Sequence, residues 1–98
     1  MQIRVSARAR REILIAATWW RENRDKAPDL FDEELRRALE LIAFAPLAGR
    51  RAEGARIKDA RVILFQRSGY SLFYRLVGRD HVRVLALQHG RREDNPPA

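Results

Sequence analysis

The clearest pattern of apolar and polar positions lies in the last third of the chain. Residues 61–77 read Arg-Val-Ile-Leu-Phe-Gln-Arg-Ser-Gly-Tyr-Ser-Leu-Phe-Tyr-Arg-Leu-Val, and residues 82–92 read Val-Arg-Val-Leu-Ala-Leu-Gln-His-Gly-Arg-Arg. β-Branched and aromatic residues crowd these runs. Ser68-Gly69 and Gly78-Arg79-Asp80 interrupt them with the glycines that hairpin turns use. The pattern predicts three short strands joined by tight turns, which must therefore run antiparallel. Each strand is apolar at both side-chain parities. An antiparallel sheet with helices on one face usually carries polar residues on the other, so the second face of this sheet is expected to need a partner.

Upstream the period changes. Ile3 and Val5 alternate with Gln2 and Arg4, the period of a short strand. Ser6 is placed to cap a helix by accepting from backbone amides of its first turn. From Ala7 to about Arg24, the residues Ala9, Ile13, Ala16, Ala17 and Trp20 fall three or four apart in one stripe. Arg8, Arg11 and Arg21 lie largely off that stripe, and Trp19 lies beside it. Two adjacent tryptophans cannot both point into a core, and the pattern leaves open which is exposed.

Asn23 to Ala27 is a polar break, and Pro28 suits the first turn of a second helix, where its missing amide hydrogen costs nothing. Asp29, Asp32, Glu33 and Glu34 set negative charge near the positive end of that helix dipole. Phe31, Leu35, Ala38, Leu39, Ile42 and Ala45 form its apolar stripe, and Pro46 ends it near Phe44 or Ala45. Leu47 to Asp59 is the least regular stretch. The predicted order is β-α-α-β-β-β: an α+β, two-layer domain with an N-terminal helical hairpin packed on an antiparallel sheet.

A chain of 98 residues holds one domain, placed at residues 1–92, with Glu93 to Ala98 as a frayed tail. Cysteine is absent, and the two histidines have no Cys or His at ligand spacing. No metal site and no cofactor are therefore expected. No run has the length of a signal peptide's apolar core or of a membrane span, so a cytoplasmic protein is expected. The net charge of +7 is almost all arginine, because lysine occurs only at Lys26 and Lys58. Arginine's planar fork suits phosphates and carboxylates, and such a charge favours nucleic acid or an acidic protein as partner.

Several residues are candidates for function. Arg61, Arg67, Arg75 and Arg83, with Arg91 and Arg92, are expected on the face opposite the helices. There they would alternate with Ile63, Phe65, Phe73 and Leu85, which would otherwise be left exposed. A mixed surface of that kind fits an acidic amphipathic segment. Tyr70 and Tyr74 share a strand face with Leu72 and Leu76, and are expected to fill the space between sheet and helices. His81 is expected at the surface. His89 has the chemistry of a general base, but its place at a strand end favours a structural role.

The element order, the Pro46-Leu47-Ala48-Gly49-Arg50 segment, the Gly69-Tyr70-x-x-x-Tyr74-Arg75 strand and the terminal His89-Gly90-Arg91-Arg92 together resemble the ParE/RelE toxin superfamily. Those proteins are the toxin halves of bacterial type II toxin-antitoxin modules. The resemblance spans Ile3 to Arg92. Its RelE-like branch comprises ribosome-dependent messenger RNases, and its ParE-like branch comprises non-enzymatic inhibitors of DNA gyrase. At the RelE branch's catalytic arginine position this chain has Gln66, followed by Arg67, and its tail Asn95-Pro96-Pro97-Ala98 lacks the branch's C-terminal tyrosine. Cleavage by 2′-hydroxyl attack needs a proton acceptor, and arginine is not a ready one.

The resemblance therefore implies a ParE-like gyrase inhibitor with no catalytic residues, neutralised by the C-terminal segment of a cognate antitoxin in a hetero-oligomer, with a heterotetramer as the expected assembly. Operator DNA would be met only through the antitoxin. Arg61, Ile63, Phe65, Arg67, Phe73, Arg75, Leu85, Arg91 and Arg92 are the candidate target- or antitoxin-binding residues. The alternative is a RelE-like endoribonuclease using His89, Arg91 and Arg92. A relative that only binds antitoxin and co-represses its operon is a third reading.

Overall fold

A computed structural model of the chain describes residues 1–90. Arg91, Arg92 and the tail expected to fray lie outside the described residues. Strand β1 (Gln2–Val5) is followed by helices α1 (Ala7–Asn23) and α2 (Leu30–Phe44), then by strands β2 (Arg50–Arg51), β3 (Arg61–Leu64), β4 (Tyr70–Val77) and β5 (His81–His89). The sheet order is β1-β5-β4-β3-β2. The hairpins are antiparallel, but β1 lies parallel to β5, with Ile3 opposite Val82 and Val5 opposite Val84. The two-helix, then three-strand order is as expected. The two-residue β2 and the parallel β1 were not legible, because both depend on partners about 10 and 80 residues away.

Local chemistry sets the helix limits. Ser6 Oγ accepts from the Ala9 N–H at 3.0 Å, capping α1. Helix α2 starts at Leu30, two residues after Pro28, which sits in the preceding turn rather than inside the helix. Ala9, Ala16, Ala17 and Trp20 of α1 and Phe31, Ala38 and Ile42 of α2 pack on Tyr70, Leu72, Tyr74, Val82, Val84 and Leu87. This is the main core, and it places Tyr70 and Tyr74 where their shared parity put them. The Trp20 indole N–H donates to the Ala27 carbonyl at 2.6 Å, satisfying its polar edge. The exposed ion pairs of the helices, such as Arg36–Glu40 at 2.9 Å, add little by comparison, about 0.3–0.5 kcal/mol each.

The apolar part of the second face of the sheet is not open. Val62, Phe73, Leu85 and Ala86 form a second buried cluster, covered by Ala52, Ala55 and Ile57 from the segment between β2 and β3. That strap is closed by an Ala52 N–H···O Ala60 bond of 2.9 Å. The expectation that this face needs a partner is therefore corrected: the chain covers it with its own irregular stretch. The expected grouping of Ile63, Phe65, Phe73 and Leu85 on one open face is corrected too. Ile63 and Phe65 pack in the main core on the helix side, whereas Phe73 and Leu85 lie under the strap. Phe65, Phe73 and Leu85 are 2%, 3% and 8% exposed, so none presents a free surface.

A bulge makes this division possible. Phe73 pairs with Ala86 but Tyr74 with Val84, so Leu85 is the extra residue in β5. Before the bulge, Val82 and Val84 face the helices; after it, Leu87 does. Parity reverses midway along the strand, which is why β5 reads as apolar on both sides.

The Pro46-x-x-Gly49 segment closes around the buried Tyr74. The Tyr74 hydroxyl donates to the Pro46 carbonyl at 2.8 Å and accepts the Gly49 N–H at 2.8 Å. Arg61 Nη1 donates to the Gly49 carbonyl at 2.7 Å. A Cβ on Gly49 would lie 2.7 Å from the Tyr74 oxygen and 2.9 Å from the Val62 carbonyl, closer than atoms tolerate. Gly49→Ala is expected to cost about 1–3 kcal/mol through overpacking. Tyr74→Phe is expected to cost about 1–3 kcal/mol by stranding the buried Gly49 N–H. Urea unfolding of both single variants and the double should show a combined loss smaller than the sum, because the two changes act at one contact.

The same site predicts a pH effect. Burial raises the Tyr74 pKa above the ordinary 10.0, with the Gly49 N–H and the Arg61 charge pulling partly against it. Above pH 10 the unfolded chain loses its tyrosine protons before the folded one does. Stability should thus be full below the ordinary tyrosine value and fall as pH rises beyond it. Thermal unfolding scans across that range should show a shallower fall in Tyr74→Phe than in the parent.

Candidate interaction groove

With the apolar clusters on both sheet faces covered, the remaining open apolar features are edges and helix surfaces. Strand β1 stops at Val5, opposite Val84, so β5 runs on past it with its outer edge uncovered by a strand. Ser6 takes up the first positions, with its N–H on the Val84 carbonyl at 3.0 Å and its hydroxyl on the Leu85 carbonyl at 3.1 Å. Farther along, Glu12 of α1 reaches over, and its Oε1 accepts the Leu87 N–H at 3.0 Å. A side-chain carboxylate thus stands where a neighbouring strand's carbonyl would be, which blunts the edge.

Beyond Glu12 a groove of about 400 Å³ opens between α1 and the end of β5, lined by Glu12, Ile15, Ala16, Trp19, Tyr70, Leu87 and His89. Its walls are almost entirely apolar. Ile15 is 71% exposed and Trp19 44% exposed, whereas Trp20 is 7% exposed, which answers the question the sequence left open. Leu14 is also exposed on the same helix. The Arg24 guanidinium carbon lies 5.4 Å from the Trp19 ring centroid, holding positive charge over the groove's far wall. The groove was not legible in the sequence, because Ile15 and Trp19 lie off the packed stripe and meet Tyr70 and His89 only in the fold.

The His89 ring packs against Tyr70, with centroids 4.6 Å apart. The bulge at Leu85 turns His89 to this side of the sheet. The contact is an aromatic one and not a cap on the backbone. His81 is buried, not at the surface: its Nδ1 lies 2.8 Å from the Asp80 carboxylate. That hydrogen bond is the main reason the Asp80 pKa falls below 3.8.

The predicted arginines are dispersed. Arg61 is half-buried on the helix side, held by the Leu47 and Gly49 carbonyls. Arg67 is exposed in the β3–β4 turn, where Glu34 of α2 accepts both the Arg67 and Ser68 N–H groups, at 3.1 and 2.8 Å. Arg75 lies on the sheet face away from the helices, and Arg91 and Arg92 fall outside the described residues. The structure therefore does not bring Arg61, Arg67 and Arg75 to one surface. A second, smaller concavity of about 170 Å³ runs along the open part of β3, where Ile63 and Leu64 meet Leu41 and Arg37 of α2. Among the described residues no cluster of three or more His, Cys, Asp or Glu could hold a metal ion, and no helix is long and apolar enough to cross a membrane.

These features define a small, basic α+β domain with an apolar groove beside an open strand edge. Residues 3–94 match the family described as ParE toxin of type II toxin-antitoxin system, parDE. The chain belongs to this family of toxins. Among solved structures, a chain of the chromosomal ParDE toxin-antitoxin system from P. aeruginosa shares the fold, with a TM-score of 0.70 at 14% identity, over 91% of this chain and 95% of that one. No curated protein matches the chain by sequence.

The groove geometry predicts a difference between the two tryptophans. Acrylamide should quench the emission of Trp20→Phe, which retains Trp19, several-fold more efficiently than that of Trp19→Phe, which retains Trp20. Equal quenching of the two would contradict the groove as described.

Proposed function

We propose that this toxin inhibits DNA gyrase without hydrolytic chemistry, and that a cognate antitoxin neutralises it by laying an acidic, apolar-faced segment into the groove of Ile15, Trp19 and Leu87. The family match over residues 3–94 carries the first half of this reading. The exposed Ile15 and Trp19 beside an apolar concavity support the second, since large aromatic anchors dominate binding energy at such sites. The segment's acidic character follows from the toxin's net charge of +7 and from Arg24, whose guanidinium lies over Trp19 at the groove. Folding of a disordered antitoxin segment on the groove would offset part of the binding energy and still leave tight neutralisation.

Stoichiometric toxin is expected to block gyrase supercoiling in vitro and leave translated messages intact by primer extension. Discrete cuts within codons would instead establish the nuclease alternative, with His89, Arg91 and Arg92 as its candidate groups. Trp19→Ala with Ile15→Glu should weaken antitoxin binding by on the order of 2 kcal/mol or more, about thirtyfold. Stability should barely change, because both side chains are exposed. The basic C-terminal pair is proposed to contact the target. Arg91→Glu with Arg92→Glu should abolish gyrase inhibition but retain antitoxin binding, measured by titration calorimetry.

A further inference from the structure

The sheet face away from the helices carries an arrangement that the groove does not use. Arg4 of β1 is the register partner of Arg83 of β5, and Arg83 is in turn the partner of Arg75 of β4. Ile3, Val5, Val82, Val84, Tyr74 and Leu76 all pack toward the helices. Alternation therefore directs Arg4, Arg83 and Arg75 to the opposite face. Three arginines stand side by side across three adjacent strands, over a span of about 10 Å at the usual strand spacing.

Like charges placed directly opposite one another destabilise a sheet, and among the described residues none of the three makes a salt bridge, although the Arg4 charge acts on Asp80. Arg4 makes only a 3.5 Å contact with Gln2 Oε1. Among the described residues, Arg75 and Arg83 have no acidic partner, and the buried Arg75 Nε has no hydrogen-bond acceptor. The Asp80 carboxylate is bonded to His81, which chiefly lowers its pKa, and the Arg4 charge adds to that lowering. The strap over the same face adds the exposed Arg56 and Lys58, against Glu53 and Asp59, of which Asp59 is taken by Arg51 at 3.3 Å.

We infer that the Arg4–Arg83–Arg75 row is a binding site for the phosphates of a nucleic-acid backbone. A row of guanidinium forks with an unsatisfied donor is suited to phosphate oxygens. The same face argues against an acidic protein segment. Its apolar cluster is sealed under the strap, and of the large exposed apolar residues five, Leu14, Ile15, Trp19, Leu41 and Phe44, are on the helices, whereas Met1 precedes β1, Leu47 lies between α2 and β2, and Leu64 is at the end of β3. Protein interfaces rely on buried apolar anchors, whereas phosphate contacts need charge without them. The toxin would thus touch nucleic acid directly, beyond any contact made through an antitoxin.

The test uses the full chain and nucleic acid alone, so its result is independent of gyrase and antitoxin. Fluorescence anisotropy with a random-sequence duplex DNA and a single-stranded RNA compares the parent with a triple variant, Arg4→Gln, Arg75→Gln and Arg83→Gln. A control triple, Arg10→Gln, Arg36→Gln and Arg37→Gln, removes the same charge from the helices. The row variant should lose at least tenfold in affinity at low salt, and its slope of log K against log salt should be shallower by about two to three; the control slope should change by less than about one. Thermal unfolding should show the row variant at least as stable as the parent, because opposed like charges have been removed.

Equal losses in the two triple variants would reduce the effect to net charge and overturn the site. Polyglutamate binding as tightly as the duplex would assign the row to an acidic protein and overturn it as well. Tripolyphosphate binding as tightly as the duplex would assign it to a free anion, against the backbone reading. Weak tripolyphosphate competition together with row-specific loss on DNA or RNA would establish it.

Discussion

Strands β4 and β5 must bury both of their faces, and most of the architecture follows from that demand. Helices α1 and α2 cover one face with an alanine-rich stripe that lets Trp20, Phe31 and Ile42 reach the sheet. The strap of residues 52–60 covers the other with small residues, Ala52, Ala55 and Ala60, so that irregular backbone can lie close over Phe73 and Ala86. The bulge at Leu85 reconciles the two by reversing side-chain parity within one strand. Tyr74 then ties the layers, because its hydroxyl holds the exit of α2 at Pro46 and the entry to β2 at Gly49 in one contact.

Once the apolar clusters on both faces are closed, apolar interaction surfaces move to the margins. On the β5 side, β1 is too short to cover the last residues of its neighbour, and Glu12 fills only one hydrogen-bonding position. What remains is an apolar groove walled by α1, with an exposed tryptophan at its far end. The groove leaves the main core intact, because Ile15 and Trp19, the side chains most exposed along it, are not members of the buried cluster.

Charge is organised by the same geometry. An even spread of arginine would suit solubility, yet register places Arg4, Arg83 and Arg75 in one row. Other arginines serve the fold: Arg61 binds two carbonyls at the Gly49 turn, and Arg51 pairs with Asp59 in the strap. The acidic residues of α2 divide similarly. Glu34 holds the Arg67–Ser68 turn against the helix, whereas Glu40 does no more than pair with Arg36 at the surface.

The helices, their caps and breaks, the hairpin turns at Gly69 and Gly78 and the inward placing of Tyr70 and Tyr74 were all readable from periodicity, because each depends on spacing within a few residues. The resemblance carried by Pro46-x-x-Gly49-Arg50 and Gly69-Tyr70-x-x-x-Tyr74 was readable too, although its physical basis at Tyr74 was not. Which of Ile63, Phe65, Phe73 and Leu85 faces which layer was not readable. A one-residue bulge inverts every parity after it, and nothing local in Val84-Leu85-Ala86 marks the extra residue. The same holds for the strap, for the parallel seat of β1 on β5 and for the groove that Trp19 and His89 line together. These are contacts between segments remote in sequence, and only packing the layers together selects them.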